Sequence, residues 1–393
     1  MQPHKSEVHS SPSSVGDQLC LAHYAVSRPI HPDQLTVTDP HLPTHSSEKK
    51  IDKTSLQRVI IPFLLFSSTM SSTETQFGNM STTVLVTGAT GLLGRQVFNT
   101  FKHSGCLVVG QGYSRAIPPT IQKADLEKEE DIKNLLNEAK PQIVIHCAAN
   151  RSPDLCDQNP DQARRVNVDA TRTLAEETAR RGALLVYIST DYVFPGKEGE
   201  APYEADAQTN PPNLYGQFKR DGEVAVLEAT KDTGLGIVLR VPVLYGTAKE
   251  NSESAVNTLV DAVYKAQDES AGVKMDDWAL RYPTNTEDVA RVCRDIVIKY
   301  VKERQRIQEL PKILQFSSED RMTKYEICEK LADVLGLSLV GMVRNKQGND
   351  PNASVQRPYD THLSTKALKE LGIDLRTVDF VSWWRKHLGA YKH

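Results

Sequence analysis

Tyr215 and Lys219 bracket the run Tyr215-Gly-Gln-Phe-Lys219, and a four-residue spacing puts both side chains on one face of a helix. A cation beside a phenol favours the phenolate and lowers a pKa that is ~10 in the free side chain. The pair is then a usable general acid or base near neutral pH, with the lysine also free to hold a nicotinamide ribose. Thr190 closes an apolar run upstream, where its hydroxyl could hydrogen-bond a substrate carbonyl. Taken alone, the same pair describes an aromatic ring packed on a lysine stem. The order in which the three residues follow a glycine-rich turn gives the pattern its weight.

That turn is Gly88-Ala-Thr-Gly91-Leu-Leu-Gly94, directly after the β-branched run Thr82–Thr87. Glycines at these positions allow a tight turn, a close approach of backbone to pyrophosphate and close packing of helix on strand. The helix that follows, read over Leu92–Lys102, offers free N–H groups and a partial positive charge to phosphates. A glycine-rich connection with no ligand is the plainer alternative. The next apolar run, Leu107–Gly110, leads into Tyr113-Ser-Arg115. An acid here would accept a ribose 2′-OH and favour NAD. None is present, so Ser114 and Arg115 could hold a 2′-phosphate, which points to NADP, or Arg115 is simply solvated. Asp125 and Leu126 begin a turn where an adenine could rest. Gln142–His146 is a third strand, and Cys147, Ala148 and Ala149 leave room for a ligand at its carboxyl end.

These residues need a scaffold that delivers strand ends and helix starts to one crevice. Strand and helix signals alternate from residue 82 to 246, with helices over Asp161–Arg181 and Tyr215–Thr230 and a strand over Ala183–Ser189. The fold class is therefore α/β: a Rossmann-type, doubly wound parallel sheet with a smaller C-terminal substrate-side lobe. The expected division is 1–80 as a disordered extension, 81–246 as the NADP-binding domain, and 247–393 as the smaller lobe with segments returning to the sheet. In that lobe 247–285, 311–345 and 350–364 form the substrate side, and a helix near 286–306 packs back on the sheet. Trp278, Arg281 and Tyr282 could line a pocket or fill a small core. Arg357 could grip a diphosphate bidentately or form an interdomain salt bridge. The charged run Lys299–Glu309 reads as a solvated helix face.

Composition bounds the alternatives. The 393 residues carry 47 basic and 50 acidic side chains, a net charge of −3, which provides no basic field for nucleic acid. Six cysteines show no CxxC and no close pairing with histidines, so a zinc site or disulfide framework is not expected, and a reducing, cytoplasmic setting fits. No metal site is expected. Residues 1–80 hold six of the eleven histidines among Ser, Pro and Thr, a composition that cannot offset its ordering entropy. Their one apolar run, Val59–Phe66, is less than half of the ~20 residues that span a membrane, and it comes too late for a signal peptide.

The Gly88–Gly94 turn, Thr190, Tyr215 and Lys219 resemble an extended short-chain dehydrogenase/reductase. Ser189–Phe194, Asn213–Gly216 and Arg357-Pro358 resemble its dTDP-4-dehydrorhamnose reductase branch. His146–Ala149 with Arg151, Pro153 and Asp154, Asn167–Ala170, Glu253–Val256, Met275-Asp with Trp278, Pro283-Thr284, Met322–Glu326 and Gln356–Pro358 are similar to the family of methionine adenosyltransferase regulatory beta subunits. That resemblance implies NADP contacts from Thr90, Gly91, Leu92, Leu93, Tyr113, Ser114, Arg115, Asp125, Leu126, Cys147, Arg151, Tyr215, Lys219 and Leu244. It also implies a partner, the methionine adenosyltransferase catalytic subunit, and a role in S-adenosylmethionine synthesis. The alternative implied by the reductase branch is an NADPH-dependent reductase of a nucleotide-linked keto sugar, with Thr190, Tyr215 and Lys219 catalytic. Ser114 departs from the family pattern, which has a second arginine there, and the tail from Trp383 matches least.

Overall fold

In the computed structural model, runs of β-branched and aliphatic residues become strands, and the amphipathic stretches between them become helices that cover the resulting sheet. The structure describes residues 82–390. The extension 1–80, with its apolar run at 59–66, therefore lies outside the described residues. The first half comprises β1 (Thr83–Thr87), α1 (Leu92–His103), β2 (Leu107–Gly112), β3 (Ile121–Lys123), α2 (Glu129–Ala139), β4 (Ile143–His146), α3 (Pro153–Gln158), α4 (Pro160–Arg164), α5 (Ala170–Arg180) and β5 (Leu184–Thr190). After it come α6 (Leu214–Ala229), β6 (Gly236–Val241), β7 (Leu244–Tyr245), α7 (Thr258–Lys265), β8 (Val273–Asp276), β9 (Thr284–Asn285) and α8 (Thr286–Lys302). The chain then runs through β10 (Ile313–Gln315), α9 (Lys324–Leu335), β11 (Met342–Asn345), α10 (Lys366–Glu370) and α11 (Phe380–His387).

Seven strands form one sheet in the order β10-β6-β5-β4-β1-β2-β3, and every neighbouring pair is parallel. Because side chains alternate along a strand, Val84 and Val86 enter one core with α1 and α8, while Leu85 enters the opposite core with α2, α5 and α6. Both faces are thus covered, as an all-parallel sheet requires. The strand order reverses direction between β1 and β4, and a ligand crevice opens outside the carboxyl ends of the strands at that switch point.

Two segments depart from the sequence reading. The helix expected over 161–181 is α4 and α5 joined by a wider π-type turn at Arg165–Asp169. Asn167 in that turn is buried and aims its side chain at residue 150, accepting from Asn150 N at 2.8 Å and donating to its carbonyl at 2.9 Å. A local pattern cannot register this tertiary pull. The segment 311–345 also divides: β10 adds an edge strand to the main sheet beside β6, and α9 and β11 belong elsewhere.

They join a second core, in which Tyr245, Val256, Val263, Met275, Met322, Cys328, Leu331, Phe380 and Trp384 are buried together. Thr323 starts α9 with a reciprocal cap: its Oγ1 accepts from Glu326 N at 3.1 Å, and Glu326 Oε2 accepts from Thr323 N at 2.7 Å. Trp384, fully buried on α11, stacks against Tyr245 with ring centroids 6.0 Å apart. Among the described residues no helix is long and apolar enough to cross a membrane, and Cys106, Cys147, Cys156, Cys293 and Cys328 are free thiols.

Candidate functional site

The turn after β1 begins with Gly88 at φ +63°, a left-handed conformation open mainly to glycine. A Cβ on Gly94 would stand 2.1 Å from the Gly88 carbonyl oxygen, so only glycine lets α1 start this close to the turn. Gln111, buried on β2, braces it by accepting from Gly88 N at 2.9 Å and donating to the Ala124 carbonyl at 2.8 Å. Helix α1 starts after Gly91 without a side-chain cap, which leaves its first-turn N–H groups for an anion.

The residues expected from the sequence to hold the cofactor or to act as the catalytic group line one cavity of about 740 Å³. Gly88 and Thr90 to Gly94 form its floor beside Cys147, Ala148, Ala149 and Arg151. Tyr113, Ser114, Arg115, Asp125 and Leu126 close one end, and Thr190, Tyr215, Lys219 and Leu244 lie toward the other. Arg281, Lys324 and Arg357 line it as well. The volume is of the order of small-molecule and cofactor clefts, roughly 300–1,000 Å³.

The tyrosine and lysine share the cavity wall, but the expected pairing is not found. Tyr215 is hydrogen-bonded to Thr190, and burial pushes its phenol upward rather than down. Lys219 Nζ donates to the Ile188 carbonyl at 2.6 Å and sits 4.0 Å from the centre of the Tyr187 ring. Burial lowers the ammonium to about 7, against the attraction of Glu223. What draws the Tyr215 phenol down against its burial is the hydrogen bond with Thr190. Thr190 Oγ1 donates to Asp191 Oδ1 at 3.0 Å and accepts from Tyr192 N at 3.2 Å, which holds it at the cavity edge. Beneath the site, Arg240 grips Glu223 at 2.9 and 2.8 Å, and Ser189 Oγ donates to the same carboxylate at 2.5 Å. This buried network ties the ends of β5 and β6 to α6.

Arg115 has a partner that its own neighbourhood in the chain does not supply. Glu253, on a short turn after β7, accepts from Arg115 and also from Arg95 of α1, at 3.2 and 2.5 Å in the latter case. Burial alone would raise the Glu253 carboxyl, but the bonds from Arg95 and Arg115 hold it down at about 2. The sequence places no acid beside Arg115, yet the fold brings one 138 residues away into direct contact. Glu253 and Gln111 were both missed. Glu253 lay within a family-like run, Glu253–Val256, but nothing local marked its carboxylate as facing the cleft.

On the other side of the cavity, Arg357 Nη2 donates to both oxygens of Asp154 at 2.8 Å, so the salt bridge is the arrangement found. Of the group Trp278, Arg281 and Tyr282, Arg281 reaches the cavity, whereas Trp278 packs on Tyr359 and Tyr282 stacks on His362 at 4.1 Å. Lys299 and Arg306 pair with Glu303 and Glu309, in keeping with a solvated face.

Residues 82–391 match the family described as RmlD substrate binding domain. The methionine adenosyltransferase 2 subunit beta of Rattus norvegicus is 40% identical over 295 residues, which make up 75% of this chain and 84% of that protein. The chain belongs to the methionine adenosyltransferase 2 subunit beta family. Solved structures share the fold of this beta-subunit family member. A dTDP-4-dehydrorhamnose reductase from Clostridium acetobutylicum superposes with a TM-score of 0.64 at 24% identity, over 78% of this chain and 98% of that one. The corresponding reductase from Bacillus anthracis, solved in complex with NADP, gives 0.63 at 23% identity, over 79% and 98%. Several residues of the beta-subunit-like runs are packing elements here. Met275, Met322 and Tyr325 are buried in the second core, and Thr323 with Glu326 is the cap of α9.

Proposed function

We propose that the chain is an NADP-binding regulatory subunit that associates with the methionine adenosyltransferase catalytic subunit and supports S-adenosylmethionine synthesis in the cytoplasm. The observation that carries this reading is the 40% identity to a subunit beta over 84% of its length. The beta-subunit-like runs include Met275, Met322 and Tyr325, which are buried in the second core. A rigid fold can present a fixed surface to a partner, and a bound cofactor stabilises that fold by mass action.

The cleft fits a dinucleotide. The Gly88–Gly94 turn and the uncapped start of α1 would take the pyrophosphate, Asp125 and Leu126 would border the adenine, and Arg115 would meet a 2′-phosphate. Cys147, Tyr215, Lys219 and Leu244 would flank the nicotinamide half. Burial pushes the Cys147 thiol up to about 12, so it serves as a neutral packing group. When bound, NADPH supplies a hydride. A second reading, reduction of a nucleotide-linked keto sugar, is favoured by one observation: Thr190, Tyr215 and Lys219 share the wall of the same cavity.

Immobilised full-length chain should capture the methionine adenosyltransferase catalytic subunit from a purified mixture. Turnover of a dTDP-keto sugar with NADPH and no capture would favour the reductase reading instead.

A further inference from the structure

The clasp on Arg115 bears directly on cofactor choice. Glu253 is 12% exposed, Arg95 19% and Arg115 46%, so the carboxylate is the inner member of the cluster and Arg115 the outer. Arg95 is fixed by two further bonds, to the Thr90 carbonyl at 2.8 Å and the Thr247 carbonyl at 3.3 Å. Glu253 itself accepts from Lys249 N at 3.1 Å. The turn carrying it is pinned by Ser254 Oγ, which donates to the Leu244 carbonyl at 2.7 Å, and by Arg151 Nη2, which donates to the Ser252 carbonyl at 2.9 Å. Arg115, Arg151 and Glu253 line the cavity, and Arg95 holds Glu253 from α1.

A ribose 2′-phosphate is a near-dianion that seeks the same guanidinium donors. With Glu253 in place, Arg115 offers it fewer free N–H groups, and a like charge stands beside the site. We infer that Glu253 is an internal competitor for the 2′-phosphate, occupying Arg115 when the cleft is empty and giving it up when a 2′-phosphorylated dinucleotide enters. The inference rests on the cofactor reading above and adds a specificity-determining residue to it. NADH carries no 2′-phosphate and leaves the clasp closed. Glu253 therefore narrows the margin by which the cleft prefers NADPH over NADH.

The test is calorimetric titration of the full chain and of Glu253→Gln with NADPH, NADH and 2′,5′-ADP. The amide is isosteric but lacks the charge. Loss of the competing ion pair should tighten NADPH and 2′,5′-ADP by roughly three- to tenfold, with NADH changed less than twofold. Unchanged or weaker NADPH binding by Glu253→Gln would overturn the inference and make Glu253 a positioning residue for Arg115. A second measurement needs no variant. In the wild-type chain, saturating NADPH but not NADH should alter hydrogen exchange at the Lys249 amide, which donates to the carboxylate that gives up Arg115. Equal protection with both cofactors would overturn the inference. If neither cofactor nor 2′,5′-ADP binds either protein, the cofactor reading itself falls, and this inference with it.

Discussion

Lys219 carries its ammonium where burial opposes the charge. Its pKa falls from 10.5 to about 7 in the folded chain, while the unfolded chain keeps the ordinary value. Below pH 7 both states are protonated and the fold bears the whole cost of a buried cation. Between pH 7 and 10.5 the unfolded state binds the extra proton, so this group's contribution to stability rises with pH. Lys219→Met removes the penalty. In the cofactor-free protein, the variant should gain melting temperature over wild type at pH 6.5, and the gap should shrink by pH 9.5. A gap that is constant across that range would contradict the assigned shift. At this scale the sequence named the residues but not their partners. Tyr215 and Lys219 were legible because i to i+4 geometry is local. Lys219 bonds a carbonyl 31 residues away and Glu253 bonds an arginine 138 residues away, and no local pattern encodes either.

Among the elements, β1, the Gly88–Gly94 turn and α1 were legible to within a residue, because β-branched runs, glycine spacing and amphipathic periodicity all act over short range. The π-type turn at Arg165–Asp169 was not, since Asn167 is drawn inward by residue 150. Strand β10 was not either: three residues, Ile313–Gln315, carry too short a pattern, and their place beside β6 is set by the whole sheet. The turn makes the sharpest prediction at this scale. Gly94→Ala puts a methyl 2.1 Å from the Gly88 carbonyl oxygen, and backbone on both sides cannot yield cheaply. Overpacking of this kind costs ~1–3 kcal/mol, so the melting midpoint should drop by several degrees and dinucleotide binding should be lost. A variant with wild-type stability and NADPH affinity would show that α1 does not need this close approach.

Across the whole molecule, the cleft and the second core answer different questions. Arg357 with Asp154 ties residues late in the chain to the α3 end of the cleft. Tyr245, Phe380 and Trp384 bring the start of the second core together with the end of the described chain. On the proposed function, a bound cofactor braces this fold and the partner is met without chemistry at Tyr215. The decisive measurement is the rate of S-adenosylmethionine synthesis by the purified catalytic subunit, alone, with this chain, and with its Tyr215→Phe variant. The account predicts that the chain changes the kinetics or thermal stability of the catalytic subunit, and that Tyr215→Phe does so to within about twofold of wild type. Synthesis and stability unaffected by the chain at any ratio, with no complex in solution, would contradict it.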